Sequence, residues 1–335
     1  MPYLDIPVYW GGGLNFAPAP TLDSMAGHIW TVAPAVAEAL RPSRPSFGAP
    51  FTTTVQDPGL GAIRLTGILD EPEGADTLVL IVHGHGSNAH SQTCAGMARA
   101  SRAAGLASLR LSLRGADLSG EDIYHGGLTD DLRAALRSPG LRGYRKVLVA
   151  GYSVGGQIAL RAALDHIDPR IRSVAAICAP LNLAAAADEF DRPSRRFYRS
   201  YVFAGLNRVY AATALRRSLP TPIEIVRRAR SVRERDELTV VPRFGFSSAD
   251  HYYQTIQAAH QTHRLDIPSL LVASNNDPIV PMHTLRATIG NASRALSVIS
   301  VNSGGHMFFP RDLDLGQGGR PGLENQVIRW LLNNR

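Results

Sequence analysis

Gly151-Tyr152-Ser153-Val154-Gly155 sets a serine among small residues, after the apolar run Val147-Leu148-Val149-Ala150 and before an Ala/Leu-rich stretch with helical spacing. Strand, G-x-S-x-G, helix is the context of a nucleophile elbow, a turn too tight for side chains at its flanking positions. The hydroxyl would sit at the head of a helix, where unpaired N–H groups favour developing negative charge. Alone it is a weak nucleophile. It needs a base to take its proton, and the base needs an acid to fix its tautomer and stabilise the cation. In such folds these follow in the order Ser, acid, His, each just after a strand. Asp277 follows Leu270-Leu271-Val272-Ala273 in the turn Asn275-Asn276-Asp277-Pro278, and His306 follows Val298–Val301 in Gly304-Gly305-His306-Met307. Asp250 and Asp266 are weaker acids for this role, since neither directly follows a predicted strand end.

The same chemistry needs donors for the oxyanion of a tetrahedral intermediate. The run Leu78–Val82 leads into His83-Gly84-His85-Gly86-Ser87-Asn88. By position after His83-Gly84, the backbone N–H of His85 is one expected donor, and that of Val154, after the serine, is the other. His83 itself reads as a hydrogen bonder that orders the loop. No carboxylate or cysteine near His83 and His85 completes a set of metal ligands, so neither a metal nor a cofactor is expected. His125 and Asp130 have the H-x4-D spacing of some acyltransferases, but a helix follows that Thr129 or Asp130 could cap, and capping is the preferred reading.

These residues need a frame. Predicted strands are Phe51–Val55, Ile63–Leu69, Leu78–Val82, Ser108–Ser112, Val147–Ala150, Val174–Ala179, Ser269–Ser274 and Leu296–Val301. Predicted helices are Cys94–Ala104, Thr129–Arg137, Val154–His166, Thr284–Ile289 and Leu323–Leu332, with another near Ala33–Leu40. The first strands have no helix between them and suit an antiparallel start. The later alternation argues an α/β protein with a mostly parallel sheet covered on both faces. Residues 1–50, rich in Pro, Gly and Ala, read as an arm laid over the domain. Residues 51–180 and 263–335 form the expected core, and 181–262, too long for a crossover, an expected helical lid.

Composition limits the rest. At 335 residues the chain buries a core without staples, and Cys94 and Cys178 read as buried thiols. The formal charge is +7, and Lys146 is the only lysine. Between Asp191 and Arg243 stand 13 arginines against 5 acids, a local balance of +8. No basic run interleaved with aromatics suggests nucleic acid. Arg195, Arg196 and Arg199 beside Phe197, Tyr198 and Tyr201 would allow weak contact with an anionic lipid surface, although a solvated basic face is the simpler reading. No membrane span or signal peptide is evident, and the expected location is cytoplasmic. Oligomeric state is not legible.

Several segments together resemble the YheT-like family of α/β-hydrolases, a group of serine esterases and lipases. Gly27-His28 resembles its Pro-His-Leu-Gln-Thr segment, and His83-Gly84 with Ser87 its His-Gly-x-x-Gly-Ser-Ser loop. Leu113-Arg114-Gly115 resembles Leu-Arg-Gly-Cys-Gly, and Tyr124-His125-Gly126-Gly127 with Asp131-Leu132 its Tyr-His-Ala-Gly segment. Ser231-Val232-Arg233-Glu234 and Gly245-Phe246 through Asp250, Tyr252 and Tyr253 match in the insertion. The resemblance implies an α/β-hydrolase fold with an eight-stranded sheet and a catalytic triad of Ser153, Asp277 and His306. Three positions depart from the pattern: His85 for a leucine, Asn88 for a serine and Arg235 for an aromatic residue. His85 and Arg235 imply a more polar pocket mouth. The expected function is hydrolysis of short- to medium-chain carboxylic esters, with small esters or lipids as substrates. Thioester cleavage, acyl transfer, phospholipid cleavage and peptide cleavage share the acyl-enzyme. A binding protein on a hydrolase scaffold is the non-enzymatic alternative. Serine rather than aspartate at the elbow argues against dehalogenase and epoxide hydrolase chemistry.

Overall fold

In the strand Thr77–Val82, near the middle of the sheet, all six residues are buried, as the near-continuous apolar run of a parallel strand covered on both faces requires. Its side chains alternate between two cores: Leu78, Leu80 and Val82 join one, Val79 and Ile81 the other. The computed structural model describes residues 25–33 and 47–335, together with the backbone of residues 8–9. In chain order the elements are β1 (Val8–Tyr9), α1 (25–33), β2 (Ala49–Asp57), β3 (Gly61–Asp70), β4 (Thr77–Val82), α2 (Gln92–Ala103), β5 (Ala107–Ser112), α3 (Asp130–Arg137), β6 (Lys146–Tyr152), α4 (Val154–Leu164) and β7 (Ile171–Ile177). There follow α5 (Leu183–Phe190), α6 (Arg196–Ala214), α7 (Ile223–Val226), α8 (Val232–Leu238), α9 (Val240–Phe244) and α10 (Ala249–Ile256). The chain then returns through β8 (Ser269–Ser274), α11 (Arg286–Gly290), β9 (Leu296–Val301) and α12 (Leu323–Asn333).

The sheet order is β1-β9-β8-β7-β6-β4-β5-β3-β2. From β5 to β9 neighbouring strands are parallel, while β2, β3 and the two-residue β1 pair antiparallel. All eight expected strands are present, and β1 adds a short edge strand. Helices α3 and α4 pack on one face and α2 and α12 on the other. The strand expected at Val174–Ala179 instead begins at Ile171 and ends at Ile177. The apolar run continues, but Cys178 turns to φ 50° and breaks the ladder. The helix expected near Ala33–Leu40 lies mostly outside the described residues; the helix seen in this part of the chain is 25–33.

Between β7 and β8 stand α5 to α10, around a small core of their own that includes Val240, Val241, Tyr252, Tyr253 and Ile256. Serine caps start α8 and α10: Ser231 accepts the Glu234 N–H, and Ser248 accepts the His251 N–H. Among the joints that fasten this segment to the rest of the fold, three stand out. Gln157 of α4 donates to the Ile256 carbonyl and accepts the Ala258 N–H. Gly205 of α6 meets Gly86 backbone to backbone; a Cβ on Gly205 would come 2.7 Å from Gly86 Cα.

The third joint is ionic. Arg114, 2% exposed, donates to Asp131 through Nε and Nη2 and to Asp57 through Nη1 at 2.9 Å. Arg243 of α9 forks onto both oxygens of Asp122 at 2.9 and 2.6 Å and lies 3.0 Å from Asp57. The three carboxylates hold the Arg114 guanidinium charged despite its burial.

Candidate active site

Ser153 stands alone between β6 and α4. Its φ is 52°, which only a turn locked by its neighbours sustains. A Cβ on Gly151 would lie 2.1 Å from the Gly155 carbonyl oxygen, and one on Gly155 would lie 2.4 Å from that of His83. The Ser153 N–H donates to the Ile177 carbonyl at 2.8 Å, tying the elbow to β7. Ser153 is buried and its Oγ lies 3.0 Å from His306 Nε2.

His306 Nδ1 lies 2.9 Å from Asp277 Oδ2, completing a serine–histidine–aspartate line. The other Asp277 oxygen accepts the Ile279 and Val280 N–H groups at 2.8 and 2.9 Å, which fixes the carboxylate plane. The Asp277 and His306 loops are stitched together by side chains. Ser274 Oγ accepts the Asn276 N–H and donates to the Gly304 carbonyl, and Asn276 Nδ2 donates to the Asn302 carbonyl. Cys178 Sγ accepts the Met307 N–H at 3.4 Å. The His306 N–H donates to Thr31 Oγ1 of α1 at 2.8 Å. The two weaker acids lie apart from this group. Asp250 pairs with Arg233, and Asp266, exposed, lies 3.6 Å from His166.

His85 and Val154 both line the cavity onto which Ser153 and His306 open. No acceptor among the described residues takes either backbone N–H. Gly84 lets the loop approach: a Cβ there would come 3.2 Å from Ser153 Cβ. His83 orders this loop as expected. Its Nε2 accepts the Leu113 N–H, so Nδ1 carries the proton and donates to the Gly84 carbonyl. Burial lowers its pKa to about 4, keeping it neutral. The His85 ring stacks near Tyr124, and burial with the nearby Arg235 charge lowers its pKa to about 3.

Two expectations need correction. Arg235 does not polarise the pocket mouth: it is 5% exposed, does not line the cavity, and packs in the helical segment over Phe203, with Nη1 on Thr239. Thr129 precedes α3 without a side-chain capping bond, because its hydroxyl turns to Asp165. His125 instead serves packing: Nδ1 accepts the Gly127 N–H, and the ring meets Phe244 and Tyr252 edge-on.

Among the described residues, Cys178, Asp277 and His306 bring donor atoms within 4.8 Å of one another. As a metal site the set fits poorly. Burial, and then the Asp277 charge, hold the Cys178 thiol well above its usual pKa, and His306 is already engaged on both nitrogens. Both cysteines are buried free thiols. No described helix is long and apolar enough to cross a membrane.

The cavity encloses about 640 Å³ and is walled mainly by apolar side chains, among them Leu183, Phe190, Val202, Ile279 and Val280. Asp236 also reaches it, with Oδ2 held by the Tyr253 hydroxyl at 2.7 Å. Thr31 and Asp236 escaped the site prediction. Thr31 lies three residues beyond Gly27-His28, and Asp236 two beyond Ser231–Glu234, but nothing local marks either as facing the serine.

A family model for the alpha/beta hydrolase fold matches residues 77–312. The chain is 26% identical over 211 residues to the putative esterase YheT of Escherichia coli K12, covering 60% of this chain and 62% of that protein. It is 24% identical over 173 residues to phospholipase ABHD3 of Bos taurus, covering 48% and 40%. The chain thus spans less than two thirds of the length of either relative. The solved esterase Pf2001 of Pyrococcus furiosus is similar in fold, with a TM-score of 0.51 at 14% identity over 78% of this chain and 84% of that one. The similarity to YheT accords with the resemblance read from the sequence. The family match runs from β4 through the His306 loop, so the residues that build the serine–histidine–aspartate line are also those by which this chain belongs to the α/β hydrolase fold family.

Proposed function

We propose that the chain is a serine esterase that cleaves short- to medium-chain carboxylic esters. The observation that carries this reading is the unbroken line Ser153–His306–Asp277 opening onto an apolar cavity of acyl-chain size. Ser153 Oγ attacks the ester carbonyl as His306 Nε2 takes its proton. Asp277 keeps the other proton on Nδ1 and stabilises the imidazolium. The N–H groups of His85 and Val154 hold the oxyanion, each worth about 3–4 kcal/mol of barrier. His306 returns its proton to the leaving alcohol, and water then releases the acyl group by the same route. Hydrolysis of p-nitrophenyl esters from acetate to palmitate, wild type beside Ser153→Ala, tests this. Turnover lost by about 10⁴-fold or more in the variant is expected. Equal rates would sink the reading. An added alcohol acceptor separates acyl transfer from hydrolysis.

One observation favours a lipid ester as the substrate. Phe197 and Tyr201, one turn apart on α6, are 67% and 69% exposed and both line the cavity. An aromatic rim beside Arg195 and Arg196 suits a substrate presented from an anionic surface. Co-sedimentation with phosphatidylserine vesicles at low salt is then expected, and its absence would remove this second reading.

A further inference from the structure

Helix α1 lies outside the residues that match the family model, yet it touches both loops that carry the acid and the base. Gly27 lies against the residue before Asp277: a Cβ there would come 1.9 Å from the Asn276 carbonyl oxygen. Gly305 lies against α1 in turn, since its Cβ would fall 2.2 Å from the Gly27 carbonyl oxygen. One helical turn on, Thr31 Oγ1 donates to that same carbonyl at 2.7 Å and accepts the His306 N–H at 2.8 Å. The single hydroxyl spends its donor on the helix and its acceptor on the histidine. Helix α1 also meets the cavity wall, where His28 Nδ1 lies 2.5 Å from the Tyr198 hydroxyl and the rings stack 5.7 Å apart.

The loop held in this way needs an outside anchor. Gly304 has φ 83° and Met307 φ 68°, so His306 sits between two left-handed residues, beside a second glycine. Such a backbone has many alternatives once released. On the far side Cys178 secures Met307, on the near side Ser274 holds the Gly304 carbonyl, and Thr31 holds the N–H of His306 itself.

We propose that Thr31 is a positioning residue for His306, and that α1 forms part of the working active site by fixing the backbone of the general base through one hydroxyl. This rests on the serine esterase reading. The imidazole must reach both Ser153 Oγ and the leaving alcohol during acylation, and both the attacking water and Ser153 Oγ during deacylation. A displacement near 1 Å costs up to about 100-fold in rate. Thr31→Val keeps the shape and removes the acceptor, leaving the His306 N–H without a partner.

The test measures kcat and KM for a p-nitrophenyl ester in wild type, Thr31→Val, Thr31→Ser and Ser153→Ala, with Tm for each. Expected are a kcat lowered about 10- to 100-fold in Thr31→Val, a KM within about twofold, and recovery of most of the rate in Thr31→Ser. A purely structural role would lower Tm and the active fraction without that split or that rescue. Wild-type kcat in Thr31→Val, with Ser153→Ala inactive, would overturn the role of Thr31 alone. Full activity in Ser153→Ala would remove the esterase reading beneath it. Should Thr31→Val not fold, Thr31→Ala is read by the rate at which a fluorophosphonate labels Ser153. Labelling slowed about 10-fold or more supports the proposal, and labelling at the wild-type rate overturns it.

Discussion

The two halves of the candidate site are held in different ways. On the serine side contact is steric. Gly151, Gly155 and the His83 carbonyl interlock so closely that no added methyl has room, and the partners of the elbow lie in β4, β6 and β7. On the histidine side close packing at Gly27 and Gly305 is joined by hydrogen bonds to the side chains of Ser274, Asn276, Cys178 and Thr31, the last drawn from 275 residues away, and these place His306 itself. Steric locking answers to a substitution all at once, while hydrogen-bonded placement answers by degrees.

Three changes should separate these behaviours. Asp277→Asn leaves an oxygen for the Ile279 and Val280 N–H groups but presents a donor to His306, favouring the wrong tautomer. Turnover of p-nitrophenyl esters is expected to fall about 10⁴-fold while Tm changes little. A rate within tenfold of wild type would place the acid elsewhere. Gly155→Ala forces a methyl to 2.4 Å from the His83 carbonyl, and a loss of about 3 kcal/mol in urea unfolding is expected. Unchanged stability would show that the elbow yields after all.

The smallest effect concerns acid. His83 and His125 are buried and accept N–H bonds, and burial lowers their pKa values to about 4 and about 3 from 6.5. Below pH 6.5 the unfolded chain takes up these protons before the folded one does. The stability they contribute is therefore complete above pH 6.5 and is lost as pH falls towards 4. Urea unfolding at pH 7 and pH 5 should differ by about 1–2 kcal/mol per histidine. His125→Gln should flatten that slope, and a slope equal to wild type would exonerate His125.

What the sequence made legible follows the same division. The elbow is local, so spacing around Ser153 revealed it, and Asp277 and His306 were found because each follows its strand. His83-Gly84 likewise marked the loop that brings His85 to the cavity. The contact between Thr31 and His306 has no local signature, being made only when a distant helix folds over the sheet. Arg235 misled for another reason: charged residues are almost never fully buried, yet here the stem and guanidinium pack inside the helical segment. The early end of β7 depends on Cys178 turning left-handed within an apolar run, which composition does not signal.

The ionic joint between sheet and insertion bears on how such proteins can be recombined. Asp57, Asp122 and Asp131 face Arg114 from the sheet side, and Arg243 alone answers from α9. A chimera that takes its helical segment from another parent inherits three buried carboxylates and one cation, unless the donor brings a base to the same spot. Crossover points that keep Asp57, Asp122 and Arg243 from one parent are those from which folded hybrids are expected, and specificity grafts on this scaffold begin with that constraint.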